Sequence, residues 1–299
     1  MRIVVTHAST DWDAITSVWL IKRYLPEWQN ARVRFVPAGQ RLHLPYPSDS
    51  TAAIEKIKDN EVLHVDTGLG PLDHHQTNSD KISAASLTWK FVLENNDDLH
   101  SSKHITRKLA IDRIVAIIVD SDHFKEVFWP DPIADYHEMS YLGILEGYKL
   151  QHPKKNNLTT QFGMKILDAV LHNFENRIWA EQEMKQNSKE FQTIWGKGIA
   201  FESINDSVLD LAQKMGYIIV FRKDPRKGYV RIKARPQAAN EKDVNLKPVF
   251  QALTSLDPDA TWYLHVSNKM LLNGSAKNSK MRPTRLTMDD IIHVLETIT

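Results

Sequence analysis

The sequence predicts an α/β fold: an N-terminal, mostly parallel sheet with helices on both faces, a long connecting helix and a smaller C-terminal α+β domain. The first third of the chain alternates short β-branched runs with segments of helical periodicity, which is typical of a parallel sheet crossed by helices. An apolar stripe at helical spacing then runs from residue 160 to 195. Short alternating runs with turn residues between them occupy the remainder.

The N-terminal elements follow from hydrophobic spacing. β-branched or alternating runs predict strands over Arg2–Val5, Ala31–Ala38 and Glu61–Asp66. Helical spacing predicts helices between these strands, over Asp13–Leu25 and Ala52–Lys58. Two more helices are predicted after the third strand, over Ala84–Glu94 and Ile105–Val119.

The C-terminal half combines one long helix with strands and short helices. The long helix is predicted over Thr160–Trp195 and ends at Gly196 and Gly198. A polar stretch at His152–Asn157 precedes it, so we predict a catalytic domain over 1–150, a linker and connecting helix over 151–199, and a C-terminal domain over 200–299. The last domain is predicted to hold a hairpin over Gly216–Pro236, a helix over Leu246–Leu256, a strand pair over Thr261–Ser275 and a helix over Met288–Ile298.

Composition narrows the function classes. The 299 residues include no cysteine, which excludes disulfides, thiolate metal sites and cysteine nucleophiles. The net charge is +1, so the overall charge indicates neither nucleic acid nor a membrane as partner. The N-terminus lacks the apolar segment of a secretion signal, and no later run reaches the length of a membrane span. We therefore expect a cytoplasmic protein without a membrane partner.

Aspartate and histidine side chains follow several of the apolar runs. Loops that leave the carboxyl ends of parallel strands lie at one edge of the sheet, where open α/β folds bind ligands. Carboxylates and imidazoles together suit Mn²⁺ or Mg²⁺. Asp11 also has a purely structural interpretation, as the cap of the next helix, and the sequence favours neither. The residues concerned are His7, Asp11 and Asp13 after the first strand, Asp66 after the third, Asp73, His74 and His75 in the following turn, and Asp120 after a later run.

Four motifs in this region resemble those of the DHH phosphoesterase superfamily. They are "HASTDWDAITS", "HVDTG", "DHH" and "IIVDSDHF", in the order in which the superfamily carries them, over roughly residues 1–125. "DHHQ" and the C-terminal "WYLHVSN" resemble, less specifically, the eukaryotic-type branch linked to melanocyte proliferation, whose members act as RNA exonucleases.

The resemblance implies a centre of two divalent ions, Mn²⁺ with Mg²⁺ as the alternative, that activates water for attack on phosphorus. His75 would face the phosphate, and Asp73 would orient a histidine. Asp122 and His123 stand beside Asp120 as secondary candidates. The implied ligands are His7 and Asp11 on one ion, Asp13, His74 and Asp120 on the other, and Asp66 between the two.

Basic residues near the C-terminus are candidates for substrate binding. No acidic residue occurs from Ala260 to Met288. Such a run also suits a simply solvated face, and His265 also suits a structural role in the core. Many DHH nucleases carry a Gly-Gly-Gly-His signature in this region, and this chain has none, which leaves the substrate open. The candidates are Lys277, Lys280, Arg282, Arg285 and His265.

Together the four motifs and the basic segment, residues 277–285, predict a metal-dependent phosphodiesterase. Its expected substrate is a nucleotide or a short single-stranded nucleic acid, cleaved in the manner of an exonuclease or oligoribonuclease. An inorganic pyrophosphatase is the alternative within hydrolases, and a catalytically silent nucleotide-binding regulatory protein is the alternative outside them. The sequence does not determine RNA against DNA, cleavage polarity or oligomeric state, with a homodimer among the alternatives.

Overall fold

The computed structural model describes residues 1–42, 52–237, 242–274, 278 and 280–298. The chain forms two compact units, Met1–Glu175 and Asn176–Thr299. The division falls inside one helix, α5 (Asn156–Gln186), so no break in secondary structure marks it. The three-part division at 150 and 199 stays a prediction.

The first unit contains a four-stranded sheet in the order β2-β1-β4-β3. Its central strand β1 runs parallel to both neighbours, with Val5 opposite His64. Because β1 and β4 are parallel and in register, the residues that follow them emerge at the same edge. The strands are β1 (Arg2–His7), β2 (Arg32–Val36), β3 (Ile54–Ile57) and β4 (Asn60–His64).

Helix α1 (Trp12–Tyr24) is the centre of the first unit. Every residue from Trp12 to Ile21 is buried, because α1 contacts β1 on one side and α2 and α3 on others. This burial fixes the position of the loop between β1 and α1. The predicted arrangement of helices on both faces of the sheet stays a prediction. The other helices are α2 (Ala84–Glu94), α3 (Ile105–Asp122) and α4 (Tyr141–Gln151).

The segment Ala52–Lys58, predicted as a helix, instead forms strand β3. It pairs antiparallel with β4 across the two-residue turn Lys58-Asp59. Glu55 and Ile57 are buried and Lys56 is exposed, which is the period-two pattern of a strand. The side chain of Glu55 is held by His64 and Arg41, and these distant partners give no local signal in the sequence.

The second unit contains a six-stranded sheet in the order β5-β6-β7-β8-β10-β9. Its strands place apolar side chains on both faces: Phe221 faces the cluster that includes α7 and α8, and Val220 faces the cluster that includes α6. The predicted hairpin, strand pair and two short helices are confirmed. The elements are β5 (Ser188–Thr193), β6 (Gly196–Glu202), α6 (Ser207–Lys214), β7 (Ile219–Lys223), β8 (Val230–Ala234), α7 (Lys247–Leu256), β9 (Trp262–Leu264), β10 (Met270–Asn273) and α8 (Met288–Thr297).

The long helix ends earlier than the sequence predicts. α5 stops at Gln186, and the next residues form β5 rather than a further helical turn. Phe191 lies over Gly198 of β6, where an added Cβ would fall 2.3 Å from the ring. The two glycines predicted to end the helix therefore belong to β6. No helix in the described ranges, α5 included, is both long and apolar enough to cross a membrane.

The contact between α5 and α1 gives a test of the packing behind the candidate site. A Cβ at Gly163 of α5 would lie 2.8 Å from Cγ2 of Ile15, which is buried in α1. We expect Gly163→Ala to lower the free energy of unfolding by about 1–3 kcal/mol, as overfilled cores do. Gly147→Ala in α4 is the control: it meets no heavy atom within 4 Å. It should raise the free energy of unfolding by roughly 0.5–1 kcal/mol.

Urea unfolding followed by far-ultraviolet circular dichroism measures both values. Equal effects of the two alanines would show that α5 does not pack tightly on α1.

Candidate metal centre

His7 and Asp66 meet at the carboxyl edge of the first sheet. His7 ends β1, and Asp66 follows β4 by two residues. The His7 Nε2 lies 3.1 Å from Oδ2 of Asp66, and Nδ1 donates to the Ala8 carbonyl at 2.9 Å. Burial alone would lower the pKa of His7, but hydrogen bonds to Asp11 and Asp66 outweigh it and raise the pKa to about 11. Nε2 is therefore the ring nitrogen that faces the acids.

The two oxygens of Asp11 have different neighbours, one at the N-terminus of α1 and one at His7. Its Oδ1 accepts from the Ala14 N–H at 3.0 Å and caps α1. Its Oδ2 lies 3.5 Å from Nε2 of His7. Burial would raise the pKa of Asp11, but the neighbouring His7 lowers it below its ordinary value. The helix cap therefore leaves the second oxygen of Asp11 facing His7, and its predicted role as a metal ligand stays a prediction.

Asp13 is buried one residue inside α1 and faces α2. Its two oxygens accept the N–H groups of Ala84 and Ala85, each at 2.7 Å. These amides belong to the first turn of α2, where no helical partner exists for them. Burial and the charges of Asp66 and Asp122 raise the pKa of Asp13 well above its ordinary value. The helix terminus therefore fixes this carboxylate inside the protein.

The turn after β4 presents the Asp73-His74-His75 segment. The Asp73 carboxylate accepts the Leu69 N–H at 2.7 Å and the His75 N–H at 3.1 Å, which closes the turn. The Nδ1–H of His75 also donates to Asp73 at 2.7 Å. Burial would lower the pKa of His75, but Asp73 outweighs burial and raises it. Asp73 thus orients His75, whose side chain is 58% exposed.

The imidazole of His74 lies among three carboxylates. Its Nε2 is 3.3 Å from Oδ2 of Asp122, 3.6 Å from Oδ2 of Asp13 and 3.7 Å from Oδ1 of Asp66. The three acids come from α3, α1 and the end of β4. His74 is thereby the meeting point of segments that are distant in sequence.

Asp122, rather than the predicted Asp120, is the α3 carboxylate that faces His74. The side chain of Asp120 is 52% exposed and lies 3.4 Å from Lys125, away from His74. α3 is a helix to its end, so residues two apart point to different faces. Asp122 continues the buried stripe of Ile114 and Ile118 at a spacing of four, and this periodicity is the signal that identifies it. His123 follows, and its Nε2–H donates to the Ile82 carbonyl at 2.9 Å.

The donor atoms fit a divalent cation. Oδ1 of Asp66, Nε2 of His74 and Oδ2 of Asp122 are buried, and none has a hydrogen-bond partner in the part of the chain that the structure describes. Unpaired buried polar atoms are costly, so three that face one another indicate a site for a ligand. Oxygen and imidazole donors are those of Mn²⁺ and Mg²⁺ sites. Among the described residues, three groups have donor atoms within 4.8 Å of one another: His7, Asp11 and Asp66; Asp66, His74 and His75; and His74, Asp122 and His123.

The backbone around these donors is strained. Among the described residues other than glycine, nine have positive φ, and four of them stand in the segments that carry the donors. L-residues adopt this region at a cost, which surrounding structure must offset, and such residues cluster at functional sites. The four are Ser9, Asp66, Leu69 and Phe124.

The basic segment of the second unit is held in place by two polar side chains. Asn273 is buried, donates to the Arg282 carbonyl at 3.0 Å and accepts the Thr284 N–H at 2.7 Å. Asp257 accepts the Arg285 N–H at 2.8 Å. The side chains at 280, 282 and 285 are exposed. Lys277 lies outside the described residues.

His265 is separated from this segment. It lies in the turn between β9 and β10, where Nδ1 accepts the Ser267 N–H at 3.2 Å. The basic segment contacts the opposite end of β9, where the N–H of Thr261 donates to the Arg282 carbonyl at 3.0 Å. The structure therefore does not bring His265 together with the basic residues, and it does not bury the imidazole in the core either.

Comparisons with known proteins give distant similarities only. No protein-family model and no curated protein matches the chain. An uncharacterized protein from Helicobacter pylori G27 is 11% identical, with 99% of this chain and 98% of that chain covered and a TM-score of 0.25. The DHH domain of a member of a family of ribosomal proteins is 10% identical, with 98% and 85% covered and a TM-score of 0.33. A pGpG-specific phosphodiesterase from Vibrio cholerae is 13% identical, with 98% of both chains covered and a TM-score of 0.28. TM-scores this low establish no shared fold, and the identities transfer no activity.

Two aspartates on α3 give a matched test of the metal centre. Asp122→Asn removes a charge that faces His74, whereas Asp120→Asn removes one that faces Lys125. We expect the first to weaken Mn²⁺ binding about tenfold or more and the second to leave it unchanged, because only the first removes a donor. Calorimetric titration of Mn²⁺ into each purified variant measures the affinity. Equal Mn²⁺ affinities for the two variants would remove Asp122 from the centre.

Proposed function

We propose that this chain is a divalent-metal-dependent phosphodiesterase of the DHH superfamily that hydrolyses nucleotides or short single-stranded nucleic acid. The observation that carries the proposal is the convergence on His74: three carboxylates from three elements surround an imidazole nitrogen that has no hydrogen-bond partner. The four ordered sequence motifs support the same conclusion, since they supply these residues.

Two cations fit the donor atoms. His7, Asp11 and Asp66 would hold one, and Asp13, His74 and Asp122 would hold the other, with Asp66 close enough to both groups to serve each. Bound divalent cations would acidify water and neutralise negative charge on a phosphate. Mn²⁺ is the cation that we favour, and Mg²⁺ is the alternative.

His75 is the group best placed to exchange a proton with the substrate. Its Nδ1–H is committed to Asp73, which leaves Nε2 as the free ring nitrogen. Its raised pKa favours the charged imidazolium, and its exposure gives a substrate access. We assign His75 the protonation of the leaving oxygen and Asp73 the orientation of the ring.

Lys280, Arg282 and Arg285 are our candidates for the substrate's phosphates. Asn273 and Asp257 fix the backbone of this segment, so its exposed cations are displayed by an ordered chain. Ordered basic groups bind phosphate at a smaller entropic cost than mobile ones. Several basic side chains in one segment favour a substrate with more than one negative charge, such as a nucleotide or an oligonucleotide, over a small monoanion.

Hydrolysis of short oligomers tests the assignment. We expect release of nucleoside monophosphate from 5′-phosphorylated RNA and DNA oligomers of two to seven nucleotides when Mn²⁺ is supplied. Asp66→Asn and His74→Ala should each lower kcat by about 100-fold or more, because each removes a donor at the reacting phosphate. Asp120→Asn, outside the cluster, should retain wild-type kcat. Chromatography with mass detection measures the products.

A second substrate separates the proposal from its main alternative. Inorganic pyrophosphate is supplied under the same conditions, with phosphate release as the readout. Rapid hydrolysis of pyrophosphate with intact oligomers would replace the phosphodiesterase with a pyrophosphatase. Activity that survives in both Asp66→Asn and His74→Ala would exclude this centre altogether.

The KM for an oligomer tests whether the basic segment binds the substrate. Arg285→Ala should raise KM for an oligomer about 5- to 10-fold with little change in kcat, because a lost phosphate contact costs roughly 1–1.5 kcal/mol of binding. Lys214→Ala removes an exposed cation at the end of α6 and serves as the control. Equal KM values for the two variants would remove Arg285 from the substrate site.

A further inference from the structure

Phe124 is an exposed aromatic residue beside the candidate metal centre. It directly follows His123 and stands two residues after Asp122, both of which offer donor atoms to the centre. The residue is 74% exposed. A phenylalanine that is mostly in water gains little of the free energy that burial of its ring would supply, so this side chain contributes little to folding.

The backbone at Phe124 is also unfavourable. Its φ of 56° and ψ of 26° place it in the left-handed region, directly after the end of α3. Glycine adopts this conformation freely, and asparagine and aspartate do so with the help of local hydrogen bonds, but phenylalanine has neither advantage. An exposed ring on a strained backbone is thus doubly costly to the fold, and such residues are typical of functional sites.

We propose that the ring of Phe124 is a stacking platform for a nucleobase of the substrate, whose adjacent phosphate lies at the metal centre. The inference rests on the proposed function and narrows it to base-bearing phosphodiesters. Because Phe124 lies two residues after Asp122, the Cα atoms of the two residues are at most about 7.6 Å apart. One nucleotide can span that distance. Aromatic rings stack with every base, because each base has a π-face.

Position along the chain favours Phe124 over the other exposed apolar residues of the same segment, which are Val127, Phe128, Ile133 and Met139. Phe124 directly follows the donor residues Asp122 and His123. Between Phe128 and Met139 the chain instead carries three acidic residues, Asp131, Asp135 and Glu138, whose charges oppose a polyanion. The competing occupant is a second copy of the chain, and the experiment distinguishes it.

Two ligands that differ only in the base provide the test. Adenosine 5′-monophosphate and ribose 5-phosphate are titrated calorimetrically into the full chain with Mn²⁺ present. We expect the wild type to bind the nucleotide more tightly. Phe124→Ala should weaken nucleotide binding about 5- to 150-fold, the range measured for loss of one stacked base, and should leave ribose 5-phosphate within about twofold. Phe124→Trp should retain the preference for the base.

Stability supplies a second readout. Phe124→Gly should raise the thermal midpoint, because glycine relieves the strain, and should lose the base preference as alanine does. Lys58→Gly is the matched control: Lys58 is exposed and has a φ of 52° in the turn between β3 and β4. It should raise the midpoint without changing nucleotide affinity. Phe128→Ala, which removes another exposed ring, should leave the affinity for both ligands unchanged.

Three results would overturn the inference. One is equal affinity of the wild type for the two ligands. Another is an equal loss of affinity for both ligands in Phe124→Ala. The third is a dimer that dissociates in Phe124→Ala, seen by light scattering, with base preference intact. Base-dependent binding without hydrolysis of any oligomer would instead sustain the stacking platform and refute only the proposed activity.

Discussion

The parallel register of β1 and β4 is the constraint on which the candidate site depends. With Val5 opposite His64, the two strands deliver His7 and Asp66 to the same edge at neighbouring positions. A slip by one residue would turn every side chain of one strand to the other face of the sheet. Both faces of β1 are buried, so such a slip would force Val5 and its neighbours to repack against the opposite layer. The hydrophobic core therefore sets the geometry of the polar residues above it.

The cluster balances charges that would otherwise destabilise the first unit. Asp13 and Asp66 are buried close together, and burial raises the pKa of each. The two carboxylates are compensated unequally. The amides of α2 donate to both oxygens of Asp13, whereas Oδ1 of Asp66 accepts no hydrogen bond from the described residues. Positive charge from outside the chain would complete this arrangement. Such a site would be less stable without a bound cation than with one.

Sequence patterns were sufficient where a local rule governs the structure. The apolar spacing defined α2 to the residue, and the order of strands and helices implied that His7 and Asp66 would meet. Sequence patterns were insufficient where contacts with residues distant in the chain determine the local structure. Ala52–Lys58 became a strand because β4 and Arg41 engage it, and β5 formed because β6 pairs with it.

The sequence contained enough information to choose Asp122 over Asp120 as the residue that faces His74. The motif suggested the end of an apolar run, but the helical period of α3 points to the later residue. The structure leaves Lys277 undescribed and places His265 apart from the basic segment. Which phosphate a bound cation would meet depends on how the proposed substrate would lie in the site, and no pattern in the chain encodes that arrangement.

Asp11 and His74 differ in what each tells about distant homologues. Asp11 caps α1 with one oxygen, so selection for a stable helix alone would preserve it even in a protein without any activity. The Nε2 of His74 has no hydrogen-bond partner among the described residues, so hydrogen bonding within the fold does not account for a histidine at this position. In a related gene, an intact aspartate at the first position would be weak evidence of a working enzyme. A histidine retained at the second would be strong evidence.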